Sequence, residues 1–192
     1  SILIPARNEE KNIEKCIQGV LDQDYKNKEI IILDDNSTDN TFARAVSFSS
    51  QEIKIIKGRE LPSEWLGKNW ACHQLAQNAS GDYLIFIDAD VELTPEAISN
   101  AVYELEESKA SLLSIFPTQI IKSFGEHLVV PLMNWLLLTF LPLRFVYNSS
   151  IKSFVAANGQ FMLWKRDVYF NLGGHEQVKN KIVEDIELAK LV

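Results

Sequence analysis

Cysteine is nearly absent from this chain of 192 residues: only Cys16 and Cys72 occur, far apart in sequence. That excludes a disulfide framework and a cysteine-rich zinc site, and makes a reducing compartment the default. Glycine is scarce, with eight residues, and no G-x-G-x-x-G stretch occurs, which argues against a dinucleotide-dependent oxidoreductase. Basic residues are outnumbered, 19 Lys and Arg against 26 Asp and Glu, for a net charge of -7. A surface of that sign disfavours a nucleic-acid partner, although a bound divalent cation can reverse the local sign and admit a phosphate. There is no internal repeat and no low-complexity linker. What is present, 46% hydrophobic and 23% charged residues, suits one globular domain with a sizeable core over residues 1–192.

The first half, residues 1–109, alternates short apolar runs with helical periodicity. Ser1 to Pro5, Glu29 to Leu33, Ile53 to Lys57 and Tyr83 to Asp88 read as strands, the second as a β-branched run buried on both faces. Ile13, Cys16, Ile17, Val20 and Leu21 recur at helical spacing, with Asn8 as a candidate N-cap. Helices are also expected around Thr41 to Phe48, over Leu66 to Asn78, and after Thr94-Pro95-Glu96, where a hydroxyl cap, a proline and an early acid coincide. Four βα units predict an α/β fold with a mostly parallel, doubly wound sheet flanked by helices, whose ligands bind beyond the carboxyl ends of its strands.

The second half, residues 110–192, reads differently. Leu112 to Phe116 and Gln160 to Trp164 are expected strands, separated by a stretch without charge from Leu128 to Leu143. As a helix that stretch spans roughly 24 Å, short of the ~30 Å hydrocarbon core, and Pro131 and Pro142 interrupt it. A membrane-surface or re-entrant segment is the leading expectation, with a buried core helix and a true span as alternatives. Because Ser1 to Pro5 already reads as strand and Glu187 to Val192 as a helix in progress, the sequence is expected to be a piece of a longer protein.

Three acidic or polar segments fall where strands end: Pro5 to Glu9, Asp34 to Asp39 and Asp88 to Asp90. Asp88-Ala89-Asp90 places two carboxylates at every-second-residue spacing, so both can face one side. So close a pair repels itself unless protons or a cation compensate, and oxygen-only ligation suits Mg2+ or Mn2+; a solvated turn is the structural alternative. Asp34-Asp35 can accept the imino N–H of a uracil ring or hold a ribose hydroxyl, or can form a turn and helix cap with Asn36-Ser37-Thr38. Lys68, at a helix start after Gly67, can meet a phosphate as a point charge, and Arg7 beside the first strand is similar. Glu184-Asp185 can supply a general base, or simply be acids in a helix's first turn. His175, after Gly173-Gly174, can contact an acceptor, while a lone histidine is also a common structural residue.

The order of these segments carries more than any of them singly. Ile4-Pro5-Ala6-Arg7-Asn8-Glu9-Glu10, Leu33 to Asp39, Gly67-Lys68, Asp88-Ala89-Asp90 and Glu184-Asp185 together resemble family 2 glycosyltransferases of the GT-A fold, over nearly the whole chain. Trp65 to Cys72 and Ala157-Asn158-Gly159-Gln160-Phe161 further resemble the membrane-associated hopanoid and carotenoid branch, which acts on lipid-like acceptors. The resemblance implies that Pro5, Ala6, Arg7, Asn8, Glu9 and Asp35 hold the nucleoside, with Asp34 alongside. It implies Asp90 as the principal metal ligand, Asp88 nearer the ribose or a bridging water, and Asp185 as the base. Asn158, Gly159, Gln160, His175 and Glu184 are then expected on the acceptor side. The family's later Q-x-x-R-W motif is absent from these residues.

The expected function is an inverting, metal-dependent transfer from a nucleoside-diphosphate sugar, a UDP-sugar by family expectation, to a hydroxyl or carboxyl acceptor, with a lipid as one candidate. The chain is expected at a membrane, with its catalytic domain in the cytoplasm. A sugar nucleotidyltransferase is a rival, but it calls for a Gly-rich basic loop after the first strand, where Ala6 to Glu10 has no glycine. A receiver-type magnesium module and a nucleotide-binding module without turnover are the non-enzymatic alternatives.

Overall fold

The computed structural model describes residues 1–50, 52–121, 123–140 and 155–192. Strands β1 (Ile2–Ala6), β2 (Ile30–Asp34), β3 (Ile53–Lys57), β4 (Tyr83–Ile87), β5 (Leu112–Ser114) and β6 (Phe161–Lys165) form one sheet in the order β3-β2-β1-β4-β6-β5. β1 to β4 are mutually parallel, as the alternating pattern predicts, and β6 runs antiparallel to both β4 and β5. Strands from both halves of the chain therefore share one sheet, and the strand order reverses between β1 and β4. That reversal opens a crevice at the carboxyl ends of β1 and β4, where such sheets bind ligands.

Side-chain alternation sorts the strands' residues onto two cores. Ile2, Ile4, Ile30, Ile32, Ile85 and Ile87 pack on one face, against Ile13, Ile17 and Val20 of α1 (Ile13–Leu21) and Ala101 and Leu105 of α4 (Ala97–Glu107). Leu3, Ile31, Leu33, Leu84, Phe86, Met162 and Trp164 pack on the other, against Ala71, Cys72 and Leu75 of α3 (Gly67–Asn78). Burial on both faces is why these strands read as unbroken apolar runs. Helix α2 (Thr41–Val46) lies after β2, and α6 (Arg166–Asn171), a 3-10 turn (Gly174–Val178) and α7 (Glu184–Ala189) close the α3 side.

Two helix starts differ from the expectation. Asn8 is not a cap: it sits at φ 57° in the β1 loop, and α1 begins after Asn12. Thr94 does not cap α4, which begins three residues later, at Ala97. Instead the buried Gln23 amide, from just beyond α1, accepts the Ile98 N–H at 3.0 Å and donates to the Thr94 carbonyl at 2.7 Å. A side chain distant in sequence thus satisfies an orphan N–H that local sequence leaves open.

The apolar stretch forms α5 (Phe124–Phe140), and Leu141 to Leu143 of the expected segment lie outside the described residues. Among the described residues no helix is long and apolar enough to cross a membrane. Among its described side chains none is buried: Phe124, Leu128, Val129, Leu132, Trp135 and Phe140 are 53% to 81% exposed.

Candidate functional site

The crevice is built from loops that bind one another. After β1, the Asn8 N–H donates to Ser37 Oγ at 3.0 Å, the Asn8 side chain accepts the Thr38 N–H at 2.8 Å, and the Glu9 N–H donates to Thr41 Oγ1 at 2.7 Å. Asp39 accepts the Glu10 N–H at 3.2 Å, and Glu10 accepts the Asn40 N–H at 3.1 Å. The β1 and β2 loops are therefore zipped side by side, which explains the positive φ of Asn8: that turn aims its amide at the facing loop. Ser37, Thr38 and Asp39 read as turn residues in the sequence and Thr41 as a helix start; together they hold the Arg7 to Glu10 segment in place.

A cavity of about 270 Å3 opens between these loops, α3 and the end of β4, lined by Pro5, Ala6, Arg7, Glu9, Asp35, Lys68 and Asp88 to Asp90 among others. At its mouth Arg7 Nη1 lies 3.4 Å from Asp35 Oδ2; the Asp35 carboxylate is buried and Arg7 is largely in solvent. Gly67 lets α3 approach, since a Cβ there would stand 3.2 Å from Asp35 Oδ2. Asp34 and Asp35 are split. Asp34 follows Ile30 and Ile32 in alternation onto the α1 face, carries a buried Oδ1 without a hydrogen-bond partner among the described residues, and does not line the cavity.

Lys68 is the centre of charge. Its ammonium lies 2.9 Å from Asp88 Oδ1 and 3.4 Å from Glu184 Oε1. Burial lowers the Lys68 pKa, but the Asp88 and Glu184 carboxylates outweigh it and the ammonium is held above its ordinary value. Burial raises the Asp88 carboxyl above the ordinary range, with the Lys68 charge opposing. Asp90, two residues on, is exposed toward the cavity.

Asp185 reaches this cluster from α7. Its Oδ2 accepts the Gly159 N–H at 2.9 Å and its Oδ1 the Ile186 N–H at 2.7 Å. Gly159 is squeezed against it: a Cβ would meet Lys68 Nζ at 3.3 Å, Glu184 Oε1 at 3.4 Å and Asp185 Cβ at 3.6 Å. Asn158 and Gln160 hold the turn before β6 through the Gln160 N–H on Asn158 Oδ1 at 2.8 Å and the Asp88 N–H on the Gln160 carbonyl at 3.2 Å. Residues expected on the acceptor side thus meet the cavity's Lys68 and Asp88 without being among the residues that line the cavity.

His175 does not join them. It is 3% exposed, packs on Phe86, and places Nδ1 2.6 Å from the Tyr169 hydroxyl. Burial pushes its pKa down to about 3, so the ring is neutral and structural. Asn69, beside Lys68 in the Trp65 to Cys72 stretch, received no role from the sequence: its buried amide donates to the Val178, Lys179 and Lys181 carbonyls of the loop ahead of Glu184.

Among the described residues no three His, Cys, Asp or Glu side chains form a group that could hold a metal by themselves. The carboxylate pair fits a divalent ion that takes its other ligands from phosphate and water, the habit of Mg2+ and Mn2+. Among the described residues Asp90 is the member without an ion pair, while both Asp88 oxygens lie within 3.0 Å of Lys68 Nζ.

Residues 1–162 match the family Glycosyl transferase family 2. A 4,4'-diaponeurosporenoate glycosyltransferase of Staphylococcus haemolyticus is 31% identical over 99% of this chain, and one of Staphylococcus aureus is 30% identical over 98%. The chain spans about half the length of these curated relatives, 50% of each. Among solved structures, a mannosyltransferase from Pyrobaculum calidifontis in complex with GDP-Man and Mn2+ superposes with a TM-score of 0.64 at 22% identity, over 90% of this chain and 46% of that one. TarS 1-349 of S. aureus in complex with UDP gives 0.65 at 17% identity, over 98% and 53%. These structures establish the fold, and the family rests on the sequence match. The chain belongs to glycosyltransferase family 2, carries the GT-A fold, and resembles the diaponeurosporenoate-glycosyltransferase branch.

Proposed function

We propose that this chain binds a nucleoside-diphosphate sugar together with Mg2+ or Mn2+ and transfers the sugar, with inversion, to a hydroxyl or carboxyl acceptor of lipid character. The observation that carries the reading is the convergence of Asp35, Lys68, Asp88 and Asp90 on one cavity at the strand-order reversal, with Asp185 and Gly159 packed against Lys68. The pairing of UDP, or of GDP-Man and Mn2+, with the same fold in solved neighbours supports the donor class, with a UDP-sugar as first choice.

In this reading Asp35 and the Pro5 to Glu9 segment hold the nucleoside, and Lys68 turns from Asp88 and Glu184 toward the diphosphate. A divalent ion on Asp90, with Asp88 beside it, would neutralise charge on the departing diphosphate. The acceptor oxygen attacks the anomeric carbon as the bond to the diphosphate breaks on the opposite face, and Asp185 takes the proton of a hydroxyl acceptor; a carboxylate brings none. Asp185 suits the role because its two N–H partners fix the carboxylate while leaving lone pairs free.

Lipid character and a position at the cytoplasmic face of a membrane are supported by the exposed apolar side chains of α5, by the free thiols of Cys16 and Cys72, and by relatives named for a diaponeurosporenoate acceptor. The test of the donor site is calorimetric titration of UDP, and then GDP, into wild type and Asp90→Asn, with manganese and with chelator. Manganese-dependent binding that weakens roughly a hundredfold in Asp90→Asn is expected. Equal binding by both proteins would remove Asp90 from the metal, and silence of both nucleotides with folded wild type would remove the reading.

A further inference from the structure

Lys68 and Asn69 are neighbours on α3 that reach the same distant segment in different ways. Lys68 meets Glu184 through solvent-accessible charge, at 3.4 Å with its side chain 40% exposed. Asn69 is 1% exposed, and its side-chain nitrogen lies 2.8 Å from the Val178 carbonyl, 3.3 Å from that of Lys179 and 3.0 Å from that of Lys181. Two amide protons serve three carbonyls, so one is shared. The Leu66 N–H adds a main-chain tie to Lys179 at 2.8 Å, and Lys179 also pairs with Glu64.

Apart from these ties the loop is anchored at its start by Val178, 3% exposed in the α3-side core, and turned by the Lys181 N–H on the Val178 carbonyl at 2.9 Å. Lys181, Ile182 and Val183 are exposed, with Ile182 at 86%, and α7 contributes only Leu188 as a buried residue. A solvent-exposed ion pair is weak and adaptable, whereas a buried amide facing carbonyls permits one geometry. Immediately after the loop come Glu184 and Asp185, and Asp185 closes onto Gly159 at 2.9 Å.

We propose that Asn69 is a positioning residue: its buried amide fixes the 178–183 loop to α3 and so sets the Asp185 carboxylate against Gly159, in register with Lys68. The chemical consequence rests on Asp185 being the base, while the structural one does not. A single helix then carries the diphosphate-facing ammonium and, one residue later, the clamp that locates the proton acceptor. Donor and acceptor sides are aligned by adjacent residues, although their segments are more than a hundred positions apart in sequence.

The test uses Asn69→Leu, similar in size without donors, and Asn69→Asp, similar in shape but unable to donate. The deciding readout is amide hydrogen exchange at Gly159, whose N–H is held by Asp185. We expect exchange at Gly159 and over residues 179–186 to rise about tenfold or more in both variants, with β1 and β4 unchanged. UDP–manganese affinity should stay within about threefold, while kcat for UDP release from UDP-glucose or UDP-N-acetylglucosamine falls about tenfold or more at unchanged KM. Unchanged Gly159 exchange overturns the proposal, as does a rise spread evenly over the sheet with parallel loss of UDP affinity, which marks a merely structural residue. Asp185→Asn is the comparator: wild-type turnover there refutes the base assignment, and Gly159 exchange in the Asn69 variants still decides the clamp.

Discussion

Glu29, just ahead of β2, offers a quantitative check on the frame that carries the site. Its Oε1 accepts hydrogen bonds from the Ser80 N–H at 2.6 Å, Ser80 Oγ at 2.8 Å, the Gly81 N–H at 3.1 Å and the Ser1 hydroxyl. One carboxylate thereby joins the starts of β1, β2 and β4, the strands whose far ends form the crevice. Burial alone would raise this carboxyl, but the Ser1, Ser80 and Gly81 donors outweigh it and hold the group at about 2, against an ordinary 4.5. By linkage a depression of that size contributes at most about 3 kcal/mol, and partial exposure to solvent reduces it to roughly 1.5 kcal/mol. Because the folded value is the lower one, this stability is present in full above the ordinary carboxyl range and is lost as pH falls from about 4.5 toward about 2. Glu29→Gln keeps the shape and removes the charge. In urea at neutral pH its midpoint should fall by roughly 0.5–1.5 M, given slopes of about 1–3 kcal/mol per M. The gap should narrow below about pH 4 and close near the acid limit. A gap that stays constant with pH, or no gap at neutral pH, would refute the reasoning.

Two further expectations follow from burial. His175, pushed down to about 3 by burial, should keep its ring resonances fixed from neutral pH to about pH 5 in an NMR titration. The unfolded chain takes the proton first, near the ordinary 6.5, so the stability from this neutral ring is present above that value and drains away as pH falls toward about 3. Ring movement in the higher window would return His175 to solvent and to the acceptor side. On α5, Leu132 and Trp135 are 53% and 60% exposed, and burying either side chain in a lipid interface is worth about 1.5–3 kcal/mol. Replacing each in turn with Glu should therefore weaken sedimentation with phosphatidylglycerol vesicles about tenfold or more. Undiminished binding by both variants would move the membrane contact off this helix.

Much of the frame was legible because its physics is local. Ile30 to Leu33 announces a strand buried on both faces, and the alternation of such runs with helical periodicity dictates a parallel sheet. Carboxylates at the ends of β2 and β4 mark the ligand edge, since in a parallel sheet every strand points its carboxyl end the same way. Helix boundaries were less legible. Gln23 supplies a cap to α4 across space, and Asn8 adopts a left-handed turn to meet a loop some thirty residues on.

What the sequence by itself determined is the six strands, the helices of the first half, the parallel half of the sheet and the acidic positions at strand ends, all products of nearest-neighbour sterics and side-chain period; the helix Arg166–Asn171 and the turn Gly174–Val178 were not among its expectations. Only the tertiary structure decided how those positions divide. It turned Asp35 into the cavity and Asp34 to the opposite face, paired Lys68 with Asp88 and Glu184, drew Asp185 onto Gly159, and buried His175. It also set the antiparallel β6 beside β4, which brings Gly159 to the crevice. Each of these is a contact between segments far apart in sequence, settled by which buried polar groups find partners once the sheet has closed, and no local pattern encodes that outcome.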